Sequence, residues 1–179
     1  MASAKQPKNS DAISLLKSDH RAVEDLFSRF EKAKSNEQKR KLAEQICMEL
    51  SIHTMIEEEI FYPECQGEVE DKIMNEAYVE HDGAKMLIAE ILAGSPDDRF
   101  YDAKVTVLSE EIKHHVKEEE QREGMFAQAR KADLDLKDLG ERLAARKKEL
   151  KQAFAEEGLP APKVRSMMGA KVSIEHPLR

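Results

Sequence analysis

The stretch Ile52–Pro63, IHTMIEEEIFYP, decides how the rest of the chain is read. His53 is followed four residues later by Glu57, then by Glu58 and Glu59, and the segment closes on the apolar run Ile60-Phe61-Tyr62 before Pro63. Four residues turn an α-helix by ~400°, so His53 and Glu57 share one face, a turn apart. On that same face Leu42, Ile46, Leu50 and Ile60 form the apolar stripe of an amphipathic helix that Pro63 should stop. An imidazole and a carboxylate on a core-facing stripe need partners from elsewhere in the chain.

Three further stripes supply them. A helix starting near Asp11, capped by Ser10 or Asp11, carries Ile13, Leu16, His20, Val23, Phe27 and Phe30 before the polar SNEQ. After QGEVED a third carries Ile73, Ala77, His81, Ala84, Ile88 and Ile91, and Gly94-Ser95-Pro96 closes it. A fourth carries Tyr101, Val105, Leu108, Ile112, His115 and Glu119. Long helices joined by short loops predict an all-α, up-down-up-down four-helix bundle. Counting ~1.5 Å per residue from each turn puts the four histidines within about one helical turn of a common level.

Four imidazoles and two carboxylates in an apolar core are costly if left unpaired. A metal resolves this, because neutral imidazole nitrogen and carboxylate oxygen suit divalent first-row ions. His53/Glu57 and His115/Glu119 repeat one spacing, and two carboxylates between two histidine pairs suit a dinuclear centre. A single buried histidine is more often hydrogen-bonded to a neighbouring carboxylate, but four converging ones favour metal. His114 sits off the stripe and reads as solvated or as an outer partner of a ligand, and His176, in the tail, is expected to be exposed.

Composition narrows the partners. The chain has 179 residues, 36% charged and 5% aromatic, with a net charge of -7. This argues against nucleic acid as the main partner. No segment reads as a signal peptide or a membrane span. Cys47 and Cys65 lack the spacing of a disulfide framework or a CxxC site, so a cytoplasmic protein with free thiols is expected.

The segments SDHRAVEDLF, IHTMIEEEIFYP, YVEHDGAKML and IKHHVKEEE resemble, in order and spacing, the hemerythrin-like HHE cation-binding domain over roughly residues 11–131. The resemblance implies a hemerythrin-like bundle holding two non-haem iron ions, with an oxo or hydroxo bridge as an option. It implies His20, His53, Glu57, His81, His115 and Glu119 as ligands, the carboxylates bridging and an open iron position taking dioxygen or a related small molecule. Two departures separate this chain from the oxygen carriers. Lys85 stands where they have a second histidine four after His81, and Glu119 and Glu120 fall four and five after His115, where they have an aspartate at five. One imidazole is missing, which weighs against reversible oxygen storage, and Glu24, a turn after His20, is a candidate replacement.

Helix four lacks a closing proline and is expected to run on past GMFAQ. Leu136, Leu139, Leu143, Leu150 and Phe154 then mark an amphipathic fifth helix. Its expected role is to cover the bundle, with homo-oligomer formation as the lesser alternative and the basic run RKKELK as a solvated face. The parts are thus a polar lead (1–10), the bundle (11–131), the added helix (132–157) and an extended or flexible tail (158–179). The function expected is binding, sensing or detoxification of O2, NO or peroxide in a dry pocket lined by Phe27, Ile56, Met86 and Ile112. If the chain is an enzyme, the chemistry is directed at peroxide or NO. The alternative is iron sensing or storage, with occupancy controlling folding or a partner.

Overall fold

The computed structural model describes residues 11–173; the polar lead, the Ser10 cap and His176 lie outside them. Asp11 opens the first helix, its carboxylate accepting the Ser14 N–H at 2.8 Å. This α1 spans Ala12–Lys32, and Ser35 caps α2, Asn36–Ile56, in the same way through the Gln38 N–H. Next come a π-helical turn Glu57–Phe61, α3 Tyr62–Cys65, α4 Asp71–Ala93, α5 Tyr101–Glu120, α6 Met125–Lys131 and α7 Leu136–Glu157. α1, α2 with its π-turn continuation, α4 and α5 form the up-down-up-down bundle, and α7 packs against α1, α2 and the π turn.

Every residue of the α1 and α5 stripes is buried, as are the stripes of α2 and α4 apart from the half-buried Leu42, Ile60 and Ile73. The core divides into two apolar layers. One gathers Ile13 and Leu16 of α1, Ile52 and Ile56 of α2, Phe61, Tyr62, Met74, Phe126 and the α7 leucines. The other gathers Val23, Phe27 and Phe30, Ile46 and Leu50, Ile88 and Ile91, and Leu108 and Ile112. On α1 and α4 the histidine falls between first-layer and second-layer residues, while His53 and Glu57 sit among first-layer residues and His115 between the second-layer Ile112 and Val116, with Glu119 one turn on, so a polar belt crosses an otherwise apolar bundle.

Four expectations fail, each for a local reason. Pro63 does not stop the helix; the run continues to Cys65. The π turn ahead of it, closed by the Tyr62 N–H onto the Glu57 carbonyl, gives the proline ring room against the preceding carbonyls. α5 does not run on: it ends at Glu120, turns through 121–124 and restarts as α6. Met86 does not line the interior. It is 56% exposed because five residues from His81 rotate it by ~140° away from the inward face. Lys147, within the basic run, is buried rather than solvated.

Leu139, Leu143, Leu150 and Phe154 of α7 are buried in the first layer. Gly158 ends α7 at φ 81°, a backbone angle open to glycine, and the chain turns onto the bundle. Residues 158–173 have no regular structure; Leu159–Arg165 line a cavity of about 480 Å³ together with Thr54, Met55, Glu58 and Ile88.

The α5–α6 turn is held close to the helix it follows. A Cβ on Gly124 would lie 2.1 Å from the Glu118 carbonyl oxygen and 2.8 Å from that of Glu119. Gly124→Ala is therefore expected to push the end of α5 aside and cost about 1–3 kcal/mol, read by thermal denaturation. An unchanged melting temperature would show that the turn yields freely.

Candidate metal centre

Each histidine reaches the belt from its own helix, and their Nε2 atoms meet in pairs. His20 and His53 approach at 3.1 Å, and His81 and His115 at 3.2 Å. The pairs face one another across Glu57 and Glu119. Glu57 Oε2 lies 3.2 Å from His53 Nε2 and 3.3 Å from His81 Nε2, so one oxygen touches both pairs. Glu119 spans the gap with two oxygens, Oε2 being 3.3 Å from His20 Nε2 and Oε1 3.6 Å from His115 Nε2. Two groups that could each hold an ion result: His20, His53, Glu57 and Glu119, and Glu57, His81 and His115. All six residues read from the sequence are thus brought together.

The donor chemistry fits a pair of cations. Among the described residues, the buried side-chain atoms without a hydrogen-bond partner are both oxygens of Glu57, Glu119 Oε2, His53 Nδ1, Asp19 Oδ2 and Ser109 Oγ. All but the last belong to the belt or touch it, and atoms left so in a core are costly without a ligand. The electrostatics carry the same strain. Burial, and then the neighbouring Glu119, push the Glu57 carboxyl well above the usual range. Burial acts on Glu119 in the same direction, but His115, His20 and His53 outweigh it and hold that carboxyl low. Burial also drives His81 down to about 4 and lowers His53, favouring the neutral form of these two rings, whereas His115, likewise buried, is raised because Glu119 and Glu80 outweigh its burial.

Behind each imidazole stands a carboxylate. Glu120 Oε1 is 2.7 Å from His20 Nδ1, Glu58 Oε1 3.0 Å from His81 Nδ1 and Glu80 Oε2 2.7 Å from His115 Nδ1. Asp19 Oδ2 faces His53 Nδ1 at 3.6 Å. Such partners fix ring orientation and direct Nε2 inward. Glu120, at the position where the resemblance leaves a departure, takes this outer role. Glu24 does not enter the belt; it is half-buried and pairs with Arg21 at 3.3 Å. His114 is exposed, as its off-stripe position predicts, and lies 3.4 Å from both Glu80 and Glu118.

Tyr62 is the residue inside the belt that sequence reading misses. It is fully buried, its hydroxyl donates to Glu119 Oε1 at 3.1 Å and lies 3.2 Å from His81 Nε2, and its ring stacks on His81. In an α-helix the position five after Glu57 would point ~140° away. The π turn, bonded i to i+5, brings it back to the same side. Phe126 of α6 stacks in the same manner on His20, 5.8 Å between ring centres. Burial raises the thiols of Cys47 and Cys65 to about 12, which leaves both unreactive.

The chain is similar to known proteins in sequence and in fold. A relative, a DNA nickase of Nostoc sp. (strain PCC 7120 / SAG 25.82 / UTEX 2576), is 28% identical over 106 residues, 59% of this chain. The match spans only 30% of that protein's length. The crystal structure of a hemerythrin HHE cation binding domain-containing protein from Mycobacterium kansasii shares the fold, with a TM-score of 0.71 and 24% identity over 84% of this chain and 95% of that one. The family model of the hemerythrin HHE cation binding domain matches residues 11–129, a segment that contains every residue of the belt. The chain belongs to the hemerythrin HHE cation binding domain family.

Proposed function

We propose that the chain holds two non-haem iron ions and uses them to bind, sense or detoxify a small diatomic molecule or oxidant: O2, NO or peroxide. The observation that carries this reading is the meeting of two imidazole pairs across two shared, buried carboxylates. His20 and His53 would hold one ion, His81 and His115 the other, with Glu57 and Glu119 common to both. The mixed nitrogen and oxygen set suits iron, and the family likeness favours it over manganese or zinc.

Bound iron would supply a redox couple open to small oxidants, which the chain's own side chains do not offer. The thiols are buried and held protonated, so peroxide chemistry through cysteine is not available to them. The residues around the belt select by polarity. Phe27, Ile56 and Ile112 belong to the apolar layers on either side, which would limit the access of water and of polar organic molecules to the belt. Tyr62 donates its one hydroxyl proton to Glu119, which orients that carboxylate, and sets the phenol oxygen 3.2 Å from His81 Nε2. The DNA chemistry named for the Nostoc relative is not adopted, since a net charge of -7 gives phosphates no electrostatic attraction.

Aerobically purified, iron-loaded protein is expected to show the charge-transfer bands of a ferric pair, bleached by dithionite and restored by air. His53→Ala and His115→Ala should each lower metal affinity roughly 10-fold or more, measured by metal analysis after dialysis. Protein that stays colourless and metal-free after anaerobic ferrous reconstitution would sink the proposal. Iron that binds but is inert towards O2, peroxide and NO would move the reading to iron sensing or storage. Tyr62→Phe should keep the iron, lose less affinity than either histidine variant, and shift the absorption bands. Identical bands and reactivity would remove Tyr62 from any part in the centre.

A further inference from the structure

The four outer carboxylates are not held alike. Glu120 and Glu80 keep side-chain exposures of 20% and 23%, so water solvates them in part. Asp19 and Glu58 are buried, and a buried carboxylate needs a cation of its own. Asp19 obtains Lys147 of α7, whose buried ammonium donates to Asp19 Oδ1. Glu58 receives Lys85 at 2.7 Å and, on its other oxygen, Arg165 Nε at 2.6 Å.

Arg165 is delivered by a second anchor. The N–H groups of Arg165 and Ser166 and the Ser166 hydroxyl donate to Asp82 Oδ2 at 2.8, 2.6 and 2.7 Å. Asp82 Oδ1 takes Lys85 at 3.0 Å, so one ammonium ties Glu58 to Asp82 and both to the tail. Asp82 is fully buried beside His81, and the tail completes its shell of donors. Lys147 and Arg165 both lie beyond residue 129, where the family match ends. They serve different halves of the belt. Lys147 acts through Asp19 on His53, and Arg165 through Glu58 on His81.

We propose that the C-terminal segment, α7 with the tail to Met167, is a two-point clamp on the metal centre: Lys147 positions the His20/His53 half and Arg165 the His81/His115 half. This rests on the metal reading above. Neither cation touches the inner atoms; each is a positioning residue that holds an outer carboxylate, and through it one imidazole. The clamp makes occupancy of each half separately dependent on a part of the chain outside the matched segment. It also gives the tail a defined task, in place of the loose extension that its composition suggests.

The test is stepwise anaerobic titration of the full chain with cobalt(II), following visible absorption and stoichiometry. The wild-type chain should take two equivalents. Arg165→Ala should weaken one equivalent about 10-fold or more and leave the other unchanged, with partial recovery in Arg165→Lys. Lys147→Met leaves Asp19 buried and unpaired, so it is paired with Asp19→Asn to preserve folding; this double variant should weaken the complementary equivalent. In a His115→Ala background only the Lys147 and Asp19 changes should still matter to the remaining ion, and in a His20→Ala background only Arg165→Ala. Unchanged titrations, or equal weakening of both equivalents by each variant, would overturn the clamp while leaving the metal centre standing. A wild-type chain that binds no cobalt and no iron would overturn the metal reading, and the clamp with it.

Discussion

Two carboxylates, Glu57 and Glu119, are buried at the middle of the bundle among four imidazoles, and much of the structure answers that constraint. Left alone they oppose each other, which is why one is driven towards its neutral acid while the other is kept ionised by the surrounding rings. A belt of this kind weakens an apolar core, because every polar atom in it has lost water without full replacement. It persists because the layers above and below are complete. Apolar side chains close both sides: α1, α2 and α4 contribute to both layers, α5 to the second, and α7 adds its own stripe to the first. The fold thus supplies rigidity from its two apolar layers and spends it on holding an arrangement that no apolar packing would choose.

The π turn is the local counterpart of that constraint. A regular helix through Glu57, Glu58 and Tyr62 would present at most two of them to one side. Widening the turn by one residue buries both glutamates and returns Tyr62 to the belt, so one short segment supplies a shared inner carboxylate, the outer partner of His81 and a phenol. Turns of this type are uncommon in general and recur at functional sites, where re-aiming a side chain outweighs poorer backbone geometry.

These features were legible in the sequence to different degrees, for physical reasons. Periodicity of 3.6 exposed the four stripes, and the histidines stood out because each replaced an apolar residue on one. Tyr62 stayed hidden because it obeys the i+5 relation of the π turn, which periodicity reads as outward. Lys147 and Arg165 stayed hidden for another reason: a charged residue in a basic run, or in a stretch without period, looks solvated until a buried carboxylate is found opposite it. Met86 is the converse case: its apolar side chain suggests the interior, although its angle from His81 forbids it. Side-chain type is a weaker guide than angular position, and neither reveals a partner more than a hundred residues away.

Lys85 shows how such distant partners change the meaning of a motif. Judged against the oxygen carriers, it marks a lost imidazole four residues after His81. In the structure its ammonium is buried between Glu58 and Asp82, the two carboxylates that receive the tail. A histidine there could not bridge both anions with the same reach, and an uncharged one would leave them facing each other with Arg165 alone to offset them. The side of the belt that lacks the imidazole is also the side where Tyr62 brings its hydroxyl within 3.2 Å of His81. The departure from the carrier pattern therefore coincides with two features of this chain: a phenol inside the belt, and an ion network outside it that links one histidine to the far end of the chain.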